Sequence, residues 1–250
     1  MPVQATHPSR IDAIDTLRGL ALVWMTAYHF CFDLNNLGWA RLDFYRDPVW
    51  TLQRTVILSL FLFCAGLGQA VAVQQQLSWP RFWRRWLQIA GCALLVSAGS
   101  WWMFPNSYIY FGVLHGLALM LVIARLTAAW ARWLALLALW ALATPFVAAA
   151  MLDGSPWADP LNAPALNWLG LITRKPVTED YVPLLPWLGV VWLGVWAGSA
   201  LLRLAPALRD WQADGVWAVL ALLGRRSLLY YMLHQPVMIG SLWLLKTLAA

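Results

Sequence analysis

Residues 14–34 read IDTLRGLALVWMTAYHFCFDL, an apolar segment with an Asp and an Arg near its start and a His and an Asp near its end. Ionisable side chains inside a membrane span face the protein interior and mark functional sites. The segment therefore predicts a membrane helix whose polar face is turned into a helix bundle. Steps of three and four residues put the polar positions on one helical face: Asp15, Arg18, His29 and Asp33.

The composition of the whole chain agrees with this interpretation. Of 250 residues, 62% are hydrophobic and only 11% are charged, and the chain has 19 Trp. A soluble domain carries about twice that share of charge, and a membrane span needs roughly 20 apolar residues. We expect an all-α polytopic membrane helix bundle of about seven (six to eight) transmembrane helices. The predicted spans are 14–34, 51–73, 86–104, 110–128, 131–151, 184–203 and 227–248.

Basic residues between the spans predict the orientation. With the N-terminus inside, most of the 17 Lys and Arg residues fall on the cytoplasmic side, as the positive-inside rule requires. Residues 1–13 are then a cytoplasmic tail and residues 14–250 a single transmembrane domain. The predicted location is a bacterial inner membrane. The net charge of +6 is explained by the basic residues of the inner loops. The expected partner of these residues is therefore the lipid headgroups of the bilayer, and we do not expect a nucleic-acid partner.

Two connecting segments differ from ordinary short loops. Residues 152–183 are rich in Pro and lie on the predicted outer side, where they form either an acceptor-binding cap or a solvated loop. Residues 213–226 contain the apolar stretch Val216–Leu223, which is too short to span. We interpret it as a half-helix or a surface helix that leads into the last span.

Three histidines lie in apolar segments and are candidate catalytic residues: His29, His115 and His234. Asp33 follows His29 by one helical turn, and a carboxylate there can orient an imidazole and stabilise its protonated form. Each histidine alone is equally consistent with a hydrogen bond between helices. The three cysteines have no metal-ligand spacing, so no metal site is predicted.

The first block of the chain resembles a known family. The stretch Arg10–Ala21, followed by His29 and Asp33, resembles the opening signature of the heparan-alpha-glucosaminide N-acetyltransferase catalytic-domain family. An Arg-Gly pair followed by a His within the span is also similar to the broader acyltransferase-3 group. Together the similar blocks cover residues 10–245. The later blocks resemble that family in the same order: Phe111–His115, Tyr181–Gly189 and Gly224–Pro236.

The resemblance implies that an acyl group, usually acetyl, passes from cytoplasmic acyl-CoA to a saccharide or glycoconjugate acceptor on the far side of the membrane. Acetyl-CoA is then a donor substrate and not a tightly bound cofactor. His29, oriented by Asp33, would be the general base, with His234 or His115 assisting. Arginine suits the CoA phosphates because its donors form a fork. The residues expected to bind acyl-CoA are Asp15, Arg18, Arg225, Arg226 and Ser227.

Three other functions fit the same residues. A transporter or flippase for an envelope precursor would use the polar stripe as a substrate path. A haem or quinone protein would use His29, His115 and His234 as ligands. In a purely structural role, every polar group would connect helices. The sequence leaves the acceptor, the choice between N- and O-acylation and the oligomeric state open.

Overall fold

A computed structural model describes residues 10–130 and 132–248. Within these ranges the chain is all-helical, and its one extended pairing is an isolated bridge between Phe111 and Tyr181. The α-helices are α1 (Asp12–Asn36), α2 (Pro48–Gln74), α3 (Trp79–Met103), α4 (Val113–Thr127), α5 (Leu134–Leu152), α6 (Ala158–Asn162), α7 (Leu184–Leu204), α8 (Pro206–Asp210), α9 (Gly215–Arg225) and α10 (Ser227–Leu248).

All seven segments predicted to span the membrane coincide with long helices. Among the described residues, five helices are long and apolar enough to cross a membrane: α2, α4, α5, α7 and α10. Helices α1 and α3 have 25 residues each and reach about 37 Å at 1.5 Å per residue. The polar stripe makes α1 less apolar than these five helices, and the arginines do the same for α3. The structure thus shows a helical membrane protein, while the count of seven spans and the inward N-terminus stay predictions.

Contacts divide the chain into two compact units. The first contains the described residues up to Phe61 together with those from Pro206 onward, and the second contains Leu62–Ala205, so one boundary falls within α2. In the first unit, α1 packs against α9 and α10. Two glycines make the approach of α1 and α9 close. A side chain on Gly19 would overlap the backbone of Leu220, and one on Gly224 would overlap the backbone of Asp15. The sequence pattern Arg18-Gly19 therefore marks the place where the two helices cross.

The polar face of α1 is turned inward, as predicted. Asp15 and Asp33 are each 5% exposed, and Leu22 and Met25 between them are buried as well. Tyr28, Phe44 and Ile57 complete the buried cluster of this unit. The polar face of α1 is therefore packed against an apolar core in addition to its polar contacts.

The short helix expected near residues 216–223 is present as α9. Its 11 residues extend about 16 Å, roughly half of the hydrocarbon thickness of a bilayer. Whether this helix enters the membrane is a prediction that the fold does not test. Its position between Pro206–Asp210 and α10 makes it the lead-in to the last long helix.

In the second unit, α5 packs on α7, and α4 packs on α3 and α7. Gly189 brings α7 against the backbone of Ala138 in α5. The indole N–H of Trp192 donates to the hydroxyl of Thr127 at 3.0 Å, which joins α7 to the end of α4. Small residues at the crossings and one buried hydrogen bond thus fix this bundle.

Residues 152–183 are not an open loop but pack on residues 104–112. The N–H of Val182 donates to Phe111 O at 3.1 Å, and the N–H of Glu179 donates to Ser107 O at 2.9 Å. Asn167 is 1% exposed and donates to the hydroxyl of Tyr110. The segment contains only α6 and one 3₁₀ turn, in agreement with its many prolines.

Candidate functional site

The first unit brings together two histidines that are far apart in the sequence. The Nδ1 atom of His29 on α1 lies 2.9 Å from Nε2 of His234 on α10. The two rings are nearly parallel, with an angle of 14° between their planes and 5.2 Å between their centroids. Both side chains are half-buried. The structure therefore pairs His29 with His234, two of the predicted catalytic residues.

A backbone carbonyl determines which nitrogens carry protons in the neutral pair. Nδ1 of His234 lies 2.7 Å from Tyr231 O. A carbonyl oxygen can only accept, so Nδ1 of His234 must be the protonated nitrogen and Nε2 is left as an acceptor. The Nδ1–H group of His29 then donates to His234. In neutral His29 the remaining nitrogen, Nε2, carries a lone pair that accepts from no other described residue, and a general base requires such a lone pair.

A second contact between the two helices supports the pair. The Thr26 hydroxyl donates to Leu22 O at 2.9 Å, so the Tyr230 hydroxyl is the donor in the 2.7 Å contact between Thr26 and Tyr230. The Tyr230 ring lies parallel to that of His234, at an angle of 6°. Sequence reasoning missed Thr26. It lies three residues before His29, a spacing that places both on one side of α1.

Asp33 does not have the partner that the sequence predicted. Its two carboxylate oxygens accept from the Nε2 amide of Gln235, at 3.0 and 3.2 Å. The hydrogen bond of His29 Nδ1 is made with His234, and the orienting role of Asp33 stays a prediction. Asp33 is almost fully buried, and it connects α1 to the residue that follows His234. Sequence reasoning missed Gln235, although its position next to His234 in an apolar segment was an available signal.

His115 lies in the second unit, and both of its ring nitrogens have partners there. The Ser97 hydroxyl donates to Ile109 O at 2.7 Å, so it accepts from Nε2 of His115 at 3.0 Å. Nδ1 of His115 accepts from the N–H of Gly112 at 3.3 Å. His115 therefore joins the start of α4 to α3, and no ring nitrogen of the neutral side chain is left for a proton transfer.

The arginines expected to bind acyl-CoA lie at the crossing of α1 and α9, and two of them are engaged by carboxylates. Arg18 donates to Asp15 at 2.8 Å, and Arg225 donates to Asp12 at 2.6 Å. The N–H of Ala213 also donates to Asp12 and, together with Arg225, holds the pKa of Asp12 below its ordinary value. The Asp12–Arg225 pair holds the beginning of α1 against the end of α9, whereas the Arg18–Asp15 pair lies within α1.

The remaining predicted donor-site residues follow directly in the chain. Arg226 is exposed and lies between α9 and α10, and Ser227 is the first residue of α10. Asp15 is 5% exposed, and Arg225 is also near it, with Nε of Arg225 3.6 Å from its carboxylate. Asp15 thus has an electrostatic role in the cluster, and Arg226 is a further exposed cation beside it.

Within the described ranges, no group of three His, Cys, Asp or Glu side chains is arranged to hold a metal ion. The three cysteines are free thiols. The side chains brought together around His29 carry imidazole, carboxylate, amide and hydroxyl groups.

Comparison with known proteins identifies the family. The family model described as "Heparan-alpha-glucosaminide N-acetyltransferase, catalytic" matches residues 10–236. This range includes the histidine pair, Asp33 and Gln235. A search of curated proteins and a search of solved structures each found no match. The family match covers nearly the whole chain and confirms the resemblance seen in the sequence. The chain belongs to the heparan-alpha-glucosaminide N-acetyltransferase catalytic family.

Proposed function

We propose that this chain is an integral-membrane acyltransferase that moves an acetyl group from acetyl-CoA to a sugar-type acceptor. Family membership supports a membrane acetyltransferase with a sugar acceptor, and the apolar helices support residence in a membrane. The inward N-terminus would place the arginines of the α1–α9 crossing on the cytoplasmic side, where acyl-CoA is found. The acceptor would then be acylated on the opposite side.

The observation that carries the proposal is the chain of contacts from Tyr231 O through His234 to His29. It leaves Nε2 of His29 as a base. In the proposed reaction this nitrogen takes the proton of the acceptor amine or hydroxyl, while the acceptor atom attacks the carbonyl carbon of the thioester. The tetrahedral intermediate then expels the CoA thiolate, which takes the proton back from His29.

His234 would act mainly on the protonated state of His29. When Nε2 of His29 accepts a proton, the ring becomes an imidazolium, and its Nδ1–H hydrogen bond to His234 becomes charge-assisted. Such bonds are about twice as strong as neutral ones. His234 therefore stabilises the state that forms during acyl transfer. Asp33 and Gln235 would keep α1 and α10 in register so that the two rings stay at hydrogen-bond distance.

On the donor side, we assign Arg18 and Arg225 to positioning and Arg226 to phosphate binding. The first two are engaged by Asp15 and Asp12, whereas exposed Arg226 forms no ion pair with a carboxylate of the described residues. Calorimetry with acetyl-CoA compares the wild type with Arg226→Ala. We expect binding to weaken by about tenfold, as expected for the loss of one charge-assisted contact. Equal affinity in both proteins would remove Arg226 from the donor site.

The test of the function itself uses proteoliposomes. Labelled acetyl-CoA is supplied on one side and a panel of amino sugars and neutral sugars on the other, and the acetylated sugar is measured. We expect acetyl transfer by the wild type and almost none by His29→Gln. Uptake of a sugar or lipid-linked precursor without consumption of acetyl-CoA would favour the transporter or flippase and overturn the proposal.

A further inference from the structure

The beginning of α3 has an unusual alternation of aromatic and basic residues. Residues 79–86 read WPRFWRRW. Helical spacing of three and four residues puts the aromatic side chains on one side and the arginines on another. The arginines are Arg81, Arg84 and Arg85, and they are all exposed. We call these three residues the α3 arginine patch.

The aromatic side is fixed to the protein. Phe82 is 4% exposed, and the indole N–H of Trp86 donates to Ala118 O on α4 at 2.9 Å. The rings of Trp79 and Trp83 pack against Phe82, with centroids 5.5 and 5.2 Å away. The first two turns of α3 are therefore packed on α4 through Trp86, and the arginines are exposed.

No carboxylate is close in sequence to balance the α3 arginine patch. The chain has no Asp or Glu anywhere between Asp47 and Asp153. Arg85 contacts the neutral amide of Gln88 at 3.3 Å. Guanidinium groups near an aromatic surface are well suited to phosphate, which their forked donors match. The patch therefore places three positive charges on two helical turns, and a phosphate would complement that charge.

The same side of α3 continues as an apolar surface. From Arg84, steps of three and four residues lead to Leu87, Gly91 and Leu94. Leu87 and Leu94 are 62% and 68% exposed, and nothing lies within 4 Å of the position that a side chain on Gly91 would take. Because the chain resides in a membrane, this open strip next to the arginines is suited to an acyl chain.

We propose that the α3 arginine patch binds the phosphate of an anionic phospholipid, whose acyl chain lies along the strip from Leu87 to Leu94. The proposal depends on membrane residence and not on acyl transfer, so either can fail without the other. Each basic residue near an anionic lipid surface strengthens binding about fivefold. Loss of three arginines should therefore weaken binding about 100-fold.

The test measures thermal unfolding of the detergent-purified full chain with added phosphatidylglycerol or phosphatidylcholine. We expect phosphatidylglycerol to raise the unfolding temperature of the wild type, and phosphatidylcholine to have little effect. The variant Arg81→Gln/Arg84→Gln/Arg85→Gln should lose this shift. The control Arg41→Gln/Arg46→Gln/Arg209→Gln removes the same charge from exposed positions elsewhere and should keep it.

Three results would overturn the proposal. An unchanged shift in the α3 variant would exclude the patch, and an equal loss in the control would show general charge attraction. Acetyl-CoA could also displace fluorescent phosphatidylglycerol from the wild type and show no such displacement with the α3 variant. That result would assign the patch to the phosphates of the acyl donor instead. A further variant, Gly91→Leu, fills the strip without changing charge and should weaken binding of long-chain phosphatidylglycerol more than of short-chain phosphatidylglycerol.

Discussion

His29 and His115 look alike in the sequence, but the structure surrounds them differently. Each lies in an apolar helix and belongs to a block that resembles the same family. His115 has both ring nitrogens in hydrogen bonds, with Gly112 and Ser97. Among the described residues, the His29 ring is hydrogen-bonded through Nδ1 alone, to His234. The comparison teaches that the occupied ring nitrogens, and not burial or position along the chain, distinguish a structural histidine from a candidate base.

The largest expected effect is that of His29→Gln on acetyl transfer. General acid–base catalysis contributes about 10²- to 10⁴-fold to a rate, so kcat/KM should fall by that factor. The amide cannot accept a proton at neutral pH, although it keeps a donor for His234. Initial rates with labelled acetyl-CoA measure the effect, and the unfolding temperature shows whether the variant is folded.

His115→Gln is the matched control for this variant. Both ring nitrogens of His115 are hydrogen-bonded within the fold. We therefore expect His115→Gln to lower the unfolding temperature and to leave kcat/KM of the folded protein within about twofold of wild type. A loss of activity at full stability in His115→Gln would break the comparison. It would return His115 to the catalytic residues predicted from the sequence.

An intermediate effect is expected for His234→Phe, which keeps a ring beside Tyr230 but removes the acceptor for His29. Loss of a hydrogen bond to a charged group costs about 1.5–3 kcal/mol, which corresponds to a 10- to 100-fold lower kcat/KM. Tyr230→Phe is the control, because it removes only the hydroxyl bonded to Thr26. If the two variants were equally active, His234 would have no special part in stabilising protonated His29.

A smaller effect is expected for the contact between Asp33 and Gln235. Gln235→Leu removes the amide that donates to the buried Asp33 carboxylate, and an unsatisfied buried group costs about 1–3 kcal/mol. In a double-mutant cycle with Asp33→Asn, the unfolding free energies should be strongly non-additive. Additive effects, with activity lost in Asp33→Asn alone, would instead support direct orientation of His29 by Asp33.

Much of the fold could be predicted from the sequence because helix length and apolar periodicity are local properties. All seven long segments are helical, and the short α9 falls where the apolar stretch was too short to span. The polar face of α1 is buried as expected. The catalytic roles and the membrane orientation remain predictions. The catalytic roles depend on the bound substrates, and the orientation depends on the bilayer.

The partners within the site were harder to predict because they depend on contacts between residues about 200 positions apart. The spacing of His29 and Asp33 on one helix suggested that they interact, but α10 supplies a nearer partner to each, His234 and Gln235. Likewise, Arg18 and Arg225 were expected to bind acyl-CoA, and the crossing of α1 and α9 brings the Asp12 carboxylate to Arg225. Helical periodicity fixes a face but not the helix that packs on it.

The smallest effect should come from Ser97→Ala, which tests the structural side of the comparison. The change takes the acceptor from Nε2–H of His115 and the donor from Ile109 O, and the cost should be about 1 kcal/mol of unfolding free energy. Once its acceptor is gone, the neutral ring can move its proton to Nδ1 only by giving up the bond from Gly112. Acetyl transfer should stay at the wild-type level, measured on the same preparations as unfolding. A decrease in kcat/KM without a decrease in stability would mean that the orientation of His115 matters to the reaction, and ring-nitrogen occupancy would then fail to separate the two histidines.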